Sequence, residues 1–186
     1  MKNILSENIK NLTELADDSA LLSRVEAAIS LISTALKAGS PVLVFGNGGS
    51  AADALHISGE LVGKFNIVRR GLNVICLNSN VTVLTAWSND VDYESVFARQ
   101  IESHGQAGGI VWGLSTSGNS PSVVNAFEMA KKLGLSTIAM TGRGGGKCAS
   151  VSDILLNVPS EITPRIQELH LPIYHYMCME IEKNCI

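Results

Sequence analysis

Five short apolar runs alternate with segments of helical periodicity, and this alternation constrains the fold more than any other feature of the sequence. The apolar runs cover residues 41–45, 73–77, 109–114, 136–140 and 154–158. Helices are indicated at residues 50–63, within 81–103, at 120–133, in a short turn after Gly146, and from Thr163 to about Lys183. Strands that alternate with helices form parallel sheets covered on both faces. We therefore predict an α/β fold, a doubly wound three-layer sandwich with a five-stranded parallel sheet.

The segment before the first strand predicts an N-terminal helical hairpin. Apolar side chains recur there at steps of three and four residues, namely Leu21, Leu22, Val25, Ala28, Ile29, Ile32 and Leu36. Asp18 or Ser19 suits a helix N-cap, and Gly39 suits a helix stop. We expect a single domain over residues 1–186, in which helices of residues 1–38 pack on the α/β core of residues 39–186 or on another subunit.

The composition favours a compact protein in a reducing compartment. Hydrophobic residues make up 46% of the 186 residues and charged residues 17%, the net charge is −3, and no basic block indicates nucleic acid or a membrane surface. No CxxC pair occurs among the cysteines, which are Cys76, Cys148, Cys178 and Cys185. This spacing favours reduced thiols over a disulfide framework. With no visible signal peptide and no apolar run of roughly 20 residues, we expect a cytoplasmic protein without membrane or nucleic-acid partners.

Three polar loops follow predicted strands, at the edge of the sheet where ligands bind in open parallel folds. The first is Gly46-Asn47-Gly48-Gly49-Ser50, just before a helix. Free N–H groups and the helix dipole favour an anion there, and an ordinary strand–helix turn is the alternative. The loop matches neither GxGxxG nor GxxxxGK[ST], so we expect no nucleotide.

The second loop is Ser115-Thr116-Ser117-Gly118-Asn119-Ser120, which offers four hydroxyl groups just before a helix. Hydroxyl and N–H groups hold phosphate oxygens without any cationic side chain. The alternative is a serine-rich turn in which Ser120, before Pro121, caps the helix. The third loop covers residues 141–147 and is rich in glycine, and we interpret it as a flexible loop.

His56 and Glu60 lie four residues apart, on one face of the helix that follows the first loop. This pair suits acid/base chemistry or metal binding, and an ordinary surface ion pair is the alternative. The last helix carries Gln167, His170 and His175 among apolar residues. At about 100° per residue, Gln167 and His175 lie roughly 80° apart, on neighbouring strips of one side. If that side faces His56 and Glu60, the four side chains form a zinc site, whereas a lone histidine is also compatible with a core position.

Several motifs occur in a consistent order between about residues 40 and 182. They are Gly46-Asn47-Gly48-Gly49-Ser50-Ala51-Ala52-Asp53-Ala54, His56-x-x-x-Glu60-Leu61, Asn89-Asp90, Phe97-Ala98-Arg99-Gln100, the hydroxyl-rich loop of residues 115–120, and Thr163-Pro164-Arg165-Ile166-Gln167-Glu168-x-His170. In this combination the sequence resembles bacterial phosphoheptose isomerases, which are sugar isomerase (SIS) domain proteins. Members of that family convert sedoheptulose 7-phosphate to an aldoheptose 7-phosphate.

The resemblance implies an aldose–ketose isomerase that forms D-glycero-D-manno-heptose 7-phosphate through an enediol, in heptose biosynthesis for a surface polysaccharide. It also implies a zinc ion in each subunit and a homotetramer with active sites at subunit interfaces. The implied general base is Glu60 and the implied general acid is His175. The implied zinc ligands are His56, Glu60, Gln167 and His175. The implied sugar-phosphate contacts are Asn47, Gly48, Gly49, Ser50, Glu60, Asn89, Asp90, Ser115, Thr116, Ser117, Ser120 and Gln167.

A few residues depart from the family's pattern. Pro172 lies inside the last helix, Asn80 stands where relatives often have aspartate, and Trp87 and Asp92 replace smaller residues. Proline removes a helix hydrogen bond and favours a kink. We expect these departures to affect the rim of the site and substrate preference.

Two other functions fit a SIS domain. One is a non-catalytic tetramer that binds a sugar phosphate or a replication initiator, and the other is an isomerase for a different ketose phosphate. The full set of implied reactive side chains argues against the non-catalytic role.

Overall fold

A five-stranded, all-parallel sheet forms the centre of the computed structural model, which describes residues 1–186. The strands are β1 (Val42–Gly46), β2 (Val74–Cys76), β3 (Ile110–Ser115), β4 (Ser136–Thr141) and β5 (Ile154–Asn157). Their spatial order is β2-β1-β3-β4-β5, and every neighbouring pair is parallel. Each of the predicted strands is confirmed within one residue of its predicted ends.

The helices also follow the predicted order. They are α1 (Lys2–Asp17), α2 (Ser19–Lys37), α3 (Gly49–Val62), α4 (Val81–Asp90), α5 (Val96–His104), α6 (Pro121–Lys132), α7 (Cys148–Val151) and α8 (Thr163–Asn184). The predicted helical region within 81–103 holds two helices. Between α1 and α2, the Asp18 carboxylate accepts the N–H of Leu21 at 2.8 Å, so Asp18 is the N-cap of α2.

The register of the sheet brings the three polar loops together. Gly46 of β1 pairs with Leu114 of β3, and Ser115 pairs with Thr141 of β4. These residues are at or next to the carboxyl ends of their strands. Because parallel strands end at the same edge, the loops after β1, β3 and β4 emerge side by side.

Alternation along the strands divides the core into two layers. Val42 and Val44 join a cluster that is covered by α2, α3 and α8. Leu43 and Phe45 join a second cluster on the opposite face, covered by α5 and α6. Burial of each such side chain contributes about 1.5–3 kcal/mol. Helices cover both faces of the sheet, so the three-layer prediction is confirmed.

Helix α2 corrects one expectation from the sequence. By length and composition it is apolar enough to cross a membrane, whereas we expected no such segment. Eight of its residues are buried, including Leu21, Ile29 and Ile32. Seven of the eight, all except Ser33, belong to the core cluster on the α2 face of the sheet, so the apolar character of α2 serves the packing of this fold.

Helix α8 carries one side of the predicted site and remains continuous through its proline. Pro164 lies in its first turn, as predicted, and Pro172 lies inside it. The Pro172 ring lines an apolar groove together with Leu12 and Leu22. A proline lacks the N–H that an interior helical residue donates, yet the helix extends to Asn184.

Candidate active site

The loop between β1 and α3 is held in place from both sides. Asn78 donates its side-chain N–H to the carbonyl of Gly46 at 2.9 Å and accepts the N–H of Gly46 at 3.1 Å. Gly48 adopts φ +56°, a conformation that favours glycine. A Cβ at Gly49 would overlap the Gln167 amide. The side-chain amide of Gln167, on α8, therefore packs directly on the first polar loop.

Helices α3 and α8 bring His56, Glu60 and His175 together. His56 Nε2 lies 3.1 Å from Glu60 Oε1 and 3.4 Å from His175 Nε2. The His56 and Glu60 side chains are 42% and 24% exposed, so the cluster is open to solvent. The His56–Glu60 pair is therefore more than an isolated ion pair, since a third polar group from α8 contacts it.

His56 has a second partner on its other ring nitrogen. Its Nδ1 lies 3.0 Å from the hydroxyl of Tyr174, which in turn donates to Asp53 Oδ1 at 3.4 Å. Burial raises the pKa of the Asp53 carboxyl, although the Tyr174 hydrogen bond opposes this. Burial, together with Asp53, raises the pKa of Tyr174. Sequence reasoning missed both residues, although Asp53 lies one turn before His56 and Tyr174 is next to His175.

The other histidine of α8 is a core residue. His170 is fully buried, and its Nε2 donates to the carbonyl of Thr141 at 3.2 Å. Burial lowers its pKa to about 4, because a charged imidazolium is poorly solvated there. Of the two histidines of α8, His175 belongs to the site and His170 to the core.

The chain that leaves α3 is fixed beside the site by Glu182. The carboxylate accepts the N–H groups of Phe65 (2.9 Å), Asn66 (2.7 Å) and Ile67 (3.1 Å). It also pairs with Arg69 at 3.2 Å. Burial raises the pKa of Glu182, but the three N–H groups and Arg69 outweigh burial and lower it. This anchoring places the Phe65 ring 5.8 Å from the His175 ring.

The hydroxyl-rich loop lies at the N-terminus of α6. The Ser115 hydroxyl donates to the Ser120 hydroxyl at 3.2 Å, while the Ser117 hydroxyl accepts the N–H of Asn119 at 3.1 Å. Ser120 occupies the N-cap position, but its side chain caps no N–H of α6. The interpretation of Ser120 as a side-chain cap is therefore wrong, and its hydroxyl faces Ser115 instead.

The glycine-rich third loop packs against the hydroxyl-rich loop rather than projecting from it. The N–H of Gly142 donates to the carbonyl of Thr116 at 3.0 Å, and Cys148 donates to the carbonyl of Gly118 at 2.9 Å. A Cβ at Gly118 would overlap the carbonyl of Gly145. The loop predicted to be flexible is therefore packed against its neighbour and supports it, because glycines allow the two backbones to approach closely.

Asn47 connects the first loop to its surroundings. Its amide donates to the Ser122 hydroxyl at 3.0 Å and accepts from the Tyr93 hydroxyl at 2.5 Å. Asn89 and Asp90, at the end of α4, are exposed and hydrogen-bond each other at 2.8 Å. No hydrogen bond links this pair to the other predicted site residues within the chain.

The residues that depart from the family's pattern have local structural roles. Asn80 caps α4 by accepting the N–H of Val83 at 3.1 Å. Trp87 donates to the Ser95 hydroxyl at 2.8 Å, and Asp92 accepts the N–H of Ser95 at 2.6 Å. They therefore shape the segment between α4 and α5, near Asn89 and Asp90.

Within one chain, the side chains of the candidate site do not form a complete metal site. No group of three or more His, Cys, Asp and Glu side chains is arranged to hold a metal ion. His56 Nε2 contacts both Glu60 and His175, and the Gln167 amide packs on Gly49 at the start of the same helix. The donor set nonetheless contains imidazole nitrogens and a carboxylate, which are zinc ligands in proteins.

This fold and these loops define a SIS domain protein: the SIS domain family matches residues 6–142 of the chain. The matched region contains the first two polar loops and α3, while α8 lies beyond it.

Comparisons over nearly the whole chain are more specific. The chain is 48% identical over 172 residues to a phosphoheptose isomerase of Crocosphaera subtropica, covering 92% of this chain and 88% of the relative. It is 43% identical over 188 residues to that of Sulfurimonas denitrificans, covering 99% and 96%. The solved phosphoheptose isomerase of Neisseria gonorrhoeae is 37% identical, with a TM-score of 0.92 and coverage of 98% and 96%. That of Francisella tularensis is 32% identical, with a TM-score of 0.94 and the same coverage. The chain belongs to the phosphoheptose isomerase family.

Proposed function

We propose that this protein is an aldose–ketose isomerase that converts sedoheptulose 7-phosphate to D-glycero-D-manno-heptose 7-phosphate. The observation that carries the proposal is the contact of His56 with both Glu60 and His175, beside the first polar loop, in a phosphoheptose isomerase fold. The product would supply heptose for a surface polysaccharide. The free state of all four cysteines supports a cytoplasmic location.

Proton transfer between C1 and C2 of the sugar needs a base and an acid. Glu60 is the base, since its carboxylate faces the open side of the cluster and is 24% exposed. His175, whose Nε2 is held 3.4 Å from His56, donates or accepts at the sugar oxygens. A positioned acid/base group of this kind contributes roughly 10²–10⁴-fold to a rate.

We propose zinc as the cofactor, bound by His56, Glu60, Gln167 and His175. Two donors of a tetrahedral zinc at about 2.0–2.1 Å lie about 3.3 Å apart. The separations of His56 Nε2 from Glu60 and His175 are 3.1 and 3.4 Å, which fit this edge. When bound, zinc would polarise the carbonyl and stabilise the negative charge of an enediolate. In this proposal the proton at carbon is moved by Glu60 and not by the metal.

In the proposal the phosphate group of the substrate binds at the first two polar loops, away from the reacting carbons. The N-termini of α3 and α6 point their N–H groups at the edge where the two polar loops meet. The hydroxyls of Ser115, Ser117 and Ser120 add donors, together with Ser50 and Thr116. Holding the phosphate at a distance fixes the reacting carbons near Glu60.

We further propose a homotetramer with active sites at subunit interfaces. Helix α1 exposes apolar side chains over several turns, namely Ile4, Leu5, Ile9 and Leu12. Contiguous exposed apolar surface is typical of protein contacts. Within one chain the side chains of Asn89 and Asp90 hydrogen-bond only to each other, and in the proposed tetramer they would contribute to the active site of a neighbouring subunit.

The direct test follows sedoheptulose 7-phosphate by NMR in the presence of the purified protein and zinc. Formation of the aldoheptose phosphate supports the proposal. No turnover, combined with tight binding of the sugar phosphate, would instead indicate a non-catalytic SIS module. Turnover of a different ketose phosphate at a much higher kcat/KM than sedoheptulose 7-phosphate would overturn the substrate assignment, but the protein would still be an aldose–ketose isomerase.

A further inference from the structure

Two side chains lie behind His56, on the side away from Glu60. His56 Nδ1 is 3.0 Å from Tyr174 Oη, and this hydroxyl donates to Asp53 Oδ1 at 3.4 Å. Tyr174 is 1% exposed. The second oxygen of Asp53, Oδ2, is buried and has no hydrogen-bond partner. This side of His56 is therefore enclosed and polar, in contrast to the open side that faces Glu60.

The number of available protons decides the direction of these hydrogen bonds. The Tyr174 hydroxyl has one proton for two neighbours, and an ionised carboxylate can only accept. Without this proton, Asp53 would be a partly buried carboxylate with no hydrogen-bond partner in the protein for either oxygen, which is costly. Glu60 also faces a ring nitrogen of His56, Nε2, at 3.1 Å, but its side chain is 24% exposed and water can satisfy its oxygens, whereas Asp53 Oδ2 is buried. The Tyr174 proton therefore goes to Asp53, and the Tyr174 oxygen accepts the Nδ1 proton of His56.

We propose that Asp53 and Tyr174 are positioning residues: Asp53, acting through Tyr174, keeps the proton of His56 on Nδ1 and turns Nε2 toward Glu60 and His175. Histidines that bind metals commonly donate their other ring N–H to a carboxylate, which fixes the tautomer. In this chain a tyrosine hydroxyl intervenes between the histidine and the carboxylate. The part of this inference that concerns zinc rests on the proposed function.

The test uses Tyr174→Phe and Asp53→Ala, alone and together. Tyr174→Phe keeps the buried ring and removes only the hydroxyl. Asp53→Ala removes a carboxylate that has an unsatisfied buried oxygen, so we expect folding to be retained. Tyr176→Phe is the matched control, because its hydroxyl lies on the same helix but donates to Glu26 at 2.7 Å.

Two readouts are measured on each variant. The first is the side-chain nitrogen NMR spectrum of His56 in the metal-free protein, which reports the ring nitrogen that carries the proton. We expect an Nδ1 proton in the wild type, loss of this preference in Tyr174→Phe, and transfer of the proton to Nε2 in Asp53→Ala, where Tyr174 donates to Nδ1. The second is zinc affinity by chelator competition, with an expected loss of about 10–100-fold in either variant.

Because Asp53 acts through Tyr174, the double variant should bind zinc as Tyr174→Phe does, within about two-fold. Additive losses in the double variant would overturn the relay, as would wild-type spectra and zinc affinity in Tyr174→Phe. A loss of equal size in Tyr176→Phe would also overturn it. If the wild type binds no zinc, the zinc part of the proposed function fails, and the His56 spectra still decide the positioning claim.

Discussion

His56 Nε2 and His175 Nε2 lie 3.4 Å apart, although 119 positions separate the two residues in the chain. The contact exists because α3 and α8 cover the same face of the sheet and share one core cluster. It joins the helix after the first polar loop to the last helix of the fold. The candidate site therefore depends on the tertiary packing of these two helices.

Gly49→Ala should disturb the site without unfolding the protein. The new Cβ would overlap the Gln167 amide, and displacing this proposed ligand should lower kcat/KM by on the order of 100-fold. Gly59→Ala is the matched control in the same helix, since its Cβ meets open space. We expect it to keep activity and to gain about 0.5–1 kcal/mol of stability. Equal activity of the two variants would show that Gln167 does not need its present position.

Gly118→Ala should destabilise the packed pair of loops. Gly118 has φ +64°, and an added Cβ would overlap the backbone carbonyl of Gly145. We expect a loss of about 2–4 kcal/mol in urea unfolding, from backbone strain and overlap together. Gly134→Ala is the control, because Gly134 also has a positive φ, +73°, but an added Cβ there would meet no other atom. Its loss of unfolding free energy, about 1–2 kcal/mol, measures the backbone strain alone. A smaller loss at Gly118 than at Gly134 would contradict the close contact of the two loops.

Much of the fold is readable from the sequence because it depends on local patterns. The strands, the hairpin and the cap at Asp18 follow from periodicity and from turn residues. The glycine-rich loop was misinterpreted because its role depends on a contact between Gly118 and Gly145, which no local pattern shows. The buried path from Asp53 to His56 was missed for the same reason, since Tyr174 looks like one more apolar residue of α8.

The pH dependence of stability should reveal the buried His170. Its folded pKa is about 4, below the usual 6.5, so the unfolded chain binds more protons between these values. The contribution of neutral His170 to the free energy of unfolding is thus complete above about pH 6.5. It is lost as the pH drops toward 4, by on the order of 3 kcal/mol in total. His170→Gln, which keeps an amide donor, should flatten this part of the curve of unfolding free energy against pH. An unchanged slope in the variant would assign the effect to other groups.

Removal of metal should abolish most of the turnover. After dialysis against a chelator we expect a large loss of isomerase activity, and restoration by Zn²⁺ but not by Mg²⁺, because imidazole ligands suit zinc. Metal content is measured on the same samples. Full activity at negligible metal content would remove zinc from the proposal and leave Glu60 and His175 as the acid/base pair.

The central claim is that Glu60 moves the proton during isomerisation, and kcat of Glu60→Gln with sedoheptulose 7-phosphate tests it most directly. Glu180→Gln is the control, since it removes a carboxylate of α8 that pairs with Lys183 away from the site. With both variants folded and supplied with zinc, we expect a loss of at least about 100-fold in Glu60→Gln and none in Glu180→Gln. Turnover by Glu60→Gln within a few-fold of the wild type would contradict the assignment of the base.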